Sequence, residues 1–172
     1  MAEVKIELLE KRHDRKGFEC GKEDLDNYLK TLARQHNDQG FVKTYVAVEE
    51  GRNTVLGYVS LAMGNVLLQD ADESVYARLP KHPIPVLHVA RLATDRRYAG
   101  KGIGALLISH AADIAIAASE SMGVYALELV AIDDQAYQYY LRRGFLPLKG
   151  DTMRLYAPLA TILQARATPS NP

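Results

Sequence analysis

Val86-Leu87-His88-Val89-Ala90-Arg91-Leu92-Ala93-Thr94-Asp95-Arg96-Arg97-Tyr98-Ala99-Gly100-Lys101-Gly102-Ile103-Gly104-Ala105 is a buried strand that runs into a glycine-rich turn opening a helix. Glycines at positions 100, 102 and 104 let the backbone bend without Cβ clashes and bring successive N–H groups close to a ligand. The helix that follows, from Ile103 to Met122, aims unpaired N–H groups and a partial positive charge of roughly half a unit at whatever sits there. Arg96, Arg97 and Lys101 surround the turn, and a plain strand-to-helix connection has no need of them. The stretch is built to hold an anion, phosphate above all.

Gly100-x-Gly102-x-x-Ala105 also fits a relaxed dinucleotide-binding pattern. That pattern expects an acidic residue about 20 positions on, at the end of the next strand. Glu120 falls in or just after the helix, before the strand begins. A second constellation decides the matter: Asp133-Asp134-Gln135-Ala136-Tyr137-Gln138-Tyr139-Tyr140-Leu141-Arg142-Arg143-Gly144-Phe145. Together, Arg97-x-x-Gly100-x-Gly102 and Tyr140-x-x-x-Gly144-Phe145 resemble the two motifs with which GNAT acetyltransferases grip acetyl-CoA. They stand in the family's order, separated by one helix and one strand.

Length and composition fit one globular domain. A chain of 172 residues, 48% hydrophobic and 24% charged, can bury a proper core. No run of ~18 uncharged apolar residues occurs and the N-terminus opens onto charged positions, so no membrane span or signal peptide is expected, and the cytoplasm is the expected location. Cys20 is the single cysteine, which excludes an internal disulfide and a cysteine-rich metal site; no metal is expected. Lys plus Arg and Asp plus Glu number 21 each, so no net charge draws the chain to nucleic acid. Local basic runs remain at Lys11-Arg12-His13-Asp14-Arg15-Lys16, Arg96-Arg97 and Arg142-Arg143.

Along the chain, Val4 to Leu9 alternates as a first strand, and Leu25, Tyr28, Leu29, Leu32 and His36 recur at helical spacing from Lys22 to Gln39, with Gly40 as the stop. Phe41–Val48 and Val55–Leu68 read as a hairpin. Gln69 to Pro85 reads as a short helix or loop, and because Pro83 and Pro85 cannot donate to a ladder, the next strand is expected from Val86. Tyr125–Ala131 reads as a central strand, Asp133–Arg143 as a helix, and Phe145–Leu148 and Thr152–Leu159 as closing strands. The expected fold is α/β, a mixed central sheet flanked by helices on both faces. Residues 1–163 would form the single domain and 164–172 a disordered tail.

The resemblance implies more. The sheet would be splayed between the strands at 86–94 and 125–131, with acetyl-CoA as co-substrate. The backbone of Leu92, Ala93 and Thr94 would bind pantetheine. Arg97, Tyr98, Ala99, Gly100, Lys101, Gly102, Ile103, Gly104 and Ala105 would hold the pyrophosphate. Asp133 stands where many members carry an asparagine that touches the cofactor, and it also suits a helix N-cap. Tyr140 is the candidate acid, since a phenol of pKa about 10 can donate to a departing thiolate of pKa about 8.5. On spacing alone Tyr140 reads equally as a core tyrosine beside Ala136, Tyr137 and Leu141. No general base is evident. His88 reads as a core histidine, Arg91 is too basic to take a proton, and an ordered water or an already neutral amine would serve.

Further words extend the resemblance to the GNAT toxins of toxin–antitoxin pairs, which acetylate aminoacyl-tRNA. They are Phe18-Glu19-Cys20-Gly21, Thr44-Tyr45-Val46, Gly57-Tyr58-Val59-Ser60-Leu61, Arg91-Leu92-Ala93 and Leu155-Tyr156-Ala157-Pro158-Leu159. That implies an amine substrate carried on aminoacyl-tRNA, an antitoxin protein partner and a homodimer. A plain acetyltransferase of small or protein amines, and a non-catalytic acyl-CoA-binding module, are the alternatives.

Overall fold

The computed structural model describes residues 2–67, 80–148 and 153–167. A seven-stranded sheet runs in the order β1-β2-β3-β4-β5-β7-β6, with β1 Val4–Leu8, β2 Lys43–Glu49, β3 Gly57–Val66, β4 Ile84–Thr94, β5 Ala126–Val130, β6 Leu146–Pro147 and β7 Arg154–Pro158. The helices are α1 Glu23–Thr31, α2 Ala33–Asp38, α3 Ile103–Ser119, α4 Asp134–Arg142 and α5 Leu159–Ala167. The mixed α/β class is as the sequence predicts, and the sheet is open and mostly antiparallel. Two compact units share the chain: Met1–Ala62 with Val89–Ala111, and Met63–His88 with Ala112–Pro172.

In the first unit, β1 and β2 pair antiparallel with Val4 opposite Glu49, and β2 and β3 pair antiparallel with Thr44 opposite Ser60. Those two hydroxyls, both fully buried, satisfy each other at 2.8 Å. Leu9, Phe18, Tyr28, Leu29, Ala33, Val46, Val48, Val55, Tyr58 and Ala93 form the core. Gly57 is needed for close approach: a Cβ there would stand 2.8 Å from Ile103 Cγ2 and 3.0 Å from the Ala93 carbonyl.

The single helix expected over Lys22–Gln39 is broken at Leu32 into α1 and α2. Two contacts cause the break. The Thr31 hydroxyl donates back to the Asn27 carbonyl at 2.6 Å, a bond that bends helices, and Arg15 Nη1 takes the Leu29 carbonyl at 2.9 Å.

In the second unit, Val66, Ile84, Val86, Ala126, Leu148 and Tyr156 pack together, and β5 pairs antiparallel with β7 so that Glu128 faces Tyr156. Pro85 lies inside β4 rather than before it. As the second residue of the strand it needs no donor, and its carbonyl accepts from Tyr125 N at 2.9 Å. The tail expected from Gln164 is helical through Ala167, because Leu159, Ala160, Ala165 and Ala167 are good helix formers and Arg166 is tied to Asp113 at 2.5 Å. The segment expected at 69–79 lies outside the described residues, as do 168–172. Among the described residues no helix is long and apolar enough to cross a membrane.

Candidate active site

The anion turn is built from the end of β4 onward. Leu92, Ala93 and Thr94 close the strand, Arg96–Tyr98 form one 3-10 turn, and α3 begins at Ile103. Gly100 and Gly102 take φ of +74° and +80°, a region that penalises any L side chain. Ile103 is 1% exposed and pins the helix start to the core, while Gly102, Ala105 and Lys101 are exposed. The first-turn N–H groups from Ile103 to Ala105 have no carbonyl four residues back to pair with. Lys101 Nζ lies 5.4 Å from the Tyr98 ring centroid, a cation–π contact that keeps a positive charge beside the turn.

Asp95 holds this turn together, and it was not singled out from sequence. Fully buried, its carboxylate accepts from Arg97 N and Nε at 2.9 Å, from Arg97 Nη2 at 2.7 Å and from Glu19 N at 3.2 Å. Burial pushes the Asp95 pKa up, but the Arg97 side chain and the two backbone donors outweigh it and hold the carboxyl below its ordinary range. The same pair raises the Arg97 pKa. Arg97 therefore supplies two of its guanidinium nitrogens to the turn's own scaffold, and its side chain stays 55% exposed. Arg96 is paired with Glu19.

In the second unit, α4 starts as the sequence predicts: Asp133 is its N-cap and accepts from Ala136 N at 2.8 Å. Its end explains the Tyr-x-x-x-Gly-Phe spacing physically. Gly144 takes φ +89°, its N–H bonds the Leu141 carbonyl at 3.1 Å, and Phe145 N bonds the Tyr140 carbonyl at 3.2 Å. This is a Schellman cap, whose usual apolar contact is made here by the Tyr140 and Phe145 rings, 5.4 Å apart. Tyr139 closes the other side edge-on at 5.3 Å. Tyr140 is thus held in one orientation at 7% exposure, and burial pushes its phenol well above the ordinary value, so it keeps its proton at neutral pH.

Of the basic run at 11–16, much is spent internally. Arg12 binds Glu7, Glu10 and Asn53, His13 is buried against Glu7 at 3.1 Å, and Arg15 serves α1. Lys11, Lys16 and Lys30 line, with these, an open depression of about 600 Å³. Burial raises the Cys20 thiol to about 11, which removes it as a nucleophile. Among the described residues no group of three or more His, Cys, Asp or Glu is placed to hold a metal ion.

The chain belongs to the acetyltransferase (GNAT) family, whose model matches residues 6–145. It is 34% identical over 128 residues to a tRNA-acetylating toxin of Mycobacterium tuberculosis, covering 74% of this chain and 75% of that one. Among solved structures it is similar to AtaT complexed with acetyl-methionyl-tRNAfMet, with TM-score 0.89, 28% identity and coverage of 96% of this chain and 100% of that one. It is also similar to a mutant AtaT toxin bound to the C-terminus of the antitoxin AtaR and acetyl-CoA, with TM-score 0.81, 27% identity and coverage of 96% and 99%. Acetyl-CoA is the co-substrate of the family, as the two motifs imply.

Proposed function

We propose that this chain transfers the acetyl group of acetyl-CoA to the α-amine of an aminoacyl-tRNA, as the toxin of a toxin–antitoxin pair. The observation that carries the proposal is its likeness over nearly the whole chain to AtaT, solved with acetylated methionyl-tRNA. In this reading Arg97 to Ala105 hold the pyrophosphate through backbone N–H groups and the α3 N-terminus. Leu92, Ala93 and Thr94 present backbone to the pantetheine arm, and Asp133 serves the cofactor by starting α4. Tyr140 gives its proton to the departing thiolate.

A free α-amine titrates near 7.7–8.0 and a lysine amine near 10.4, so the former is far more often ready to attack at cell pH. Phosphate contacts fall to Lys11, Lys16, Lys30, Arg142 and Arg143 rather than to Arg12, whose charge Glu7 and Glu10 already balance. An antitoxin protein and a second copy of the chain are the partners that go with this function. Incubation with labelled acetyl-CoA and a pool of charged tRNAs tests it: label is expected on aminoacyl-tRNA. Label on small amines or protein alone would leave a plain acetyltransferase, and no turnover would leave a binding module.

A further inference from the structure

The second unit buries a charge for which the chemistry above has no use. Glu128, on β5 between Leu127 and Leu129, is 1% exposed. Its Oε2 lies 2.5 Å from His88 Nδ1, and its Oε1 accepts from Arg154 Nε at 2.9 Å. Burial would push the Glu128 carboxyl up, yet the bonds from His88 and Arg154 hold it below its usual range, so it is ionised at neutral pH. Arg154 always carries a proton and by itself balances that charge. An imidazole that donates Nδ1–H to Glu128 carries its lone pair on Nε2, on the far side of the ring. A carboxylate that fixes the tautomer and orientation of an imidazole is how enzymes prepare a proton acceptor.

Exposure and position agree. The His88 side chain is 33% exposed and that of Arg154 39%, while that of Glu128 is 2%, so the imidazole is reachable from solvent although its carboxylate partner is not. On the β3 side His88 meets Gly64, at which a Cβ would stand 3.4 Å from His88 Cβ; among the described residues the charged groups paired with His88 are Glu128 from β5 and, through it, Arg154 from β7. Along β4, His88, Ala90 and Leu92 point to one face. Within the strand, His88 stands four residues before Leu92 on that same face.

We propose that His88 is the proton acceptor for the attacking amine, with Glu128 and Arg154 as its positioning residues. This rests on the acetyl-transfer reading. His88 Nε2 takes a proton from the ammonium, and the free amine attacks the thioester carbonyl. The C–N bond forms and the C–S bond breaks. The thiolate takes the Tyr140 proton, the phenolate recovers one from the new amide nitrogen, and the imidazolium returns its proton to water.

Acetyl transfer to charged tRNA is measured from pH 6 to 9, at saturating acetyl-CoA, for the native protein and for His88→Gln, with thermal unfolding as the fold control. The variant is expected to lose roughly 6- to 11-fold at pH 7, the inverse of the share of an amine titrating near 7.7–8.0 that is already neutral there, with acetyl-CoA affinity unchanged. The deficit should narrow as pH passes the amine's own titration near 7.7–8.0, because substrate then arrives neutral. A deficit equal at every pH, or none, overturns the proposal. Arg154→Gln supplies a second readout: without the guanidinium, Glu128 leans on His88 alone, so the acid limb of the native profile should move to higher pH. A limb that does not move contradicts the assignment. If the native protein labels small amines instead of charged tRNA, the tRNA reading fails, and the same comparisons on the labelled amine judge His88 separately.

Discussion

Asp95→Asn tests whether the anion turn depends on one buried carboxylate. Oδ1 of Asp95 serves Arg97 N and Nε, and Oδ2 serves Arg97 Nη2 and Glu19 N. An amide can keep one set as acceptor but turns an NH2 group toward the other two donors. The exposed guanidinium can go to water, whereas the Glu19 N–H loses its acceptor at about 1–3 kcal/mol. Loss of the carboxylate's charge adds about 1 kcal/mol, giving roughly 2–4 kcal/mol in all. In a domain of this size that lowers Tm by roughly 5–15 °C, read by thermal unfolding. Acetyl-CoA affinity by calorimetry should fall with it, because the 3-10 turn that leads into Gly100 and Gly102 is no longer held. Since the folded Asp95 pKa is depressed, its contribution is present above the unfolded value near 3.9 and is lost as pH falls through the folded value. The difference between native and variant should therefore shrink on acidification. An Asp95→Asn protein with native Tm and native acetyl-CoA affinity would refute this account of the turn.

Gly144→Ala should force a Cβ into φ +89° at about 1–2 kcal/mol, unlock the Tyr140–Phe145 contact and lower kcat more than acetyl-CoA affinity; steady-state kinetics would show it. Gly102→Asp places a negative charge and a strained φ of +80° at the α3 start, so acetyl-CoA binding by calorimetry should be lost in a protein that still folds. Gly57→Ala drives a Cβ to 2.8 Å from Ile103 Cγ2 and should cost about 1–3 kcal/mol in urea unfolding.

The strand–turn–helix at 86–105 and the tyrosine helix were legible because their signals are local. Positive-φ glycines, an Asp N-cap and a Gly-Phe terminator each act within a few residues. What stayed hidden is long-range. His88 read as a core residue because its partner Glu128 lies 40 positions away; the tie from Asp95 to the Glu19 N–H, 76 positions upstream, was equally silent, although the bonds of Asp95 to Arg97 are local. Glu128 did leave a signal, a lone acid inside an apolar strand, which must be paired wherever it is buried. The break at Leu32 was invisible because apolar spacing continues through it: a threonine at 31 does not by itself announce its bond to the Asn27 carbonyl, and Arg15, which takes the Leu29 carbonyl, lies 14 residues before it. The basic run at 11–16 overstates the charge on offer for a different reason: residue types do not reveal that Arg12 is already balanced by Glu7 and Glu10, only five and two positions away.

The central claim is that the Tyr140 hydroxyl protonates the thiolate as acetyl passes to an aminoacyl-tRNA, and Tyr140→Phe with charged tRNA and labelled acetyl-CoA tests it most directly. The ring, its contact with Phe145 and the α4 cap all survive the change. At saturating acetyl-CoA the native protein should yield N-acetylaminoacyl-tRNA, and the variant should be slower by roughly 10²-fold or more with acetyl-CoA affinity unchanged. Full turnover by Tyr140→Phe, or a native protein that leaves charged tRNA unlabelled, would contradict it.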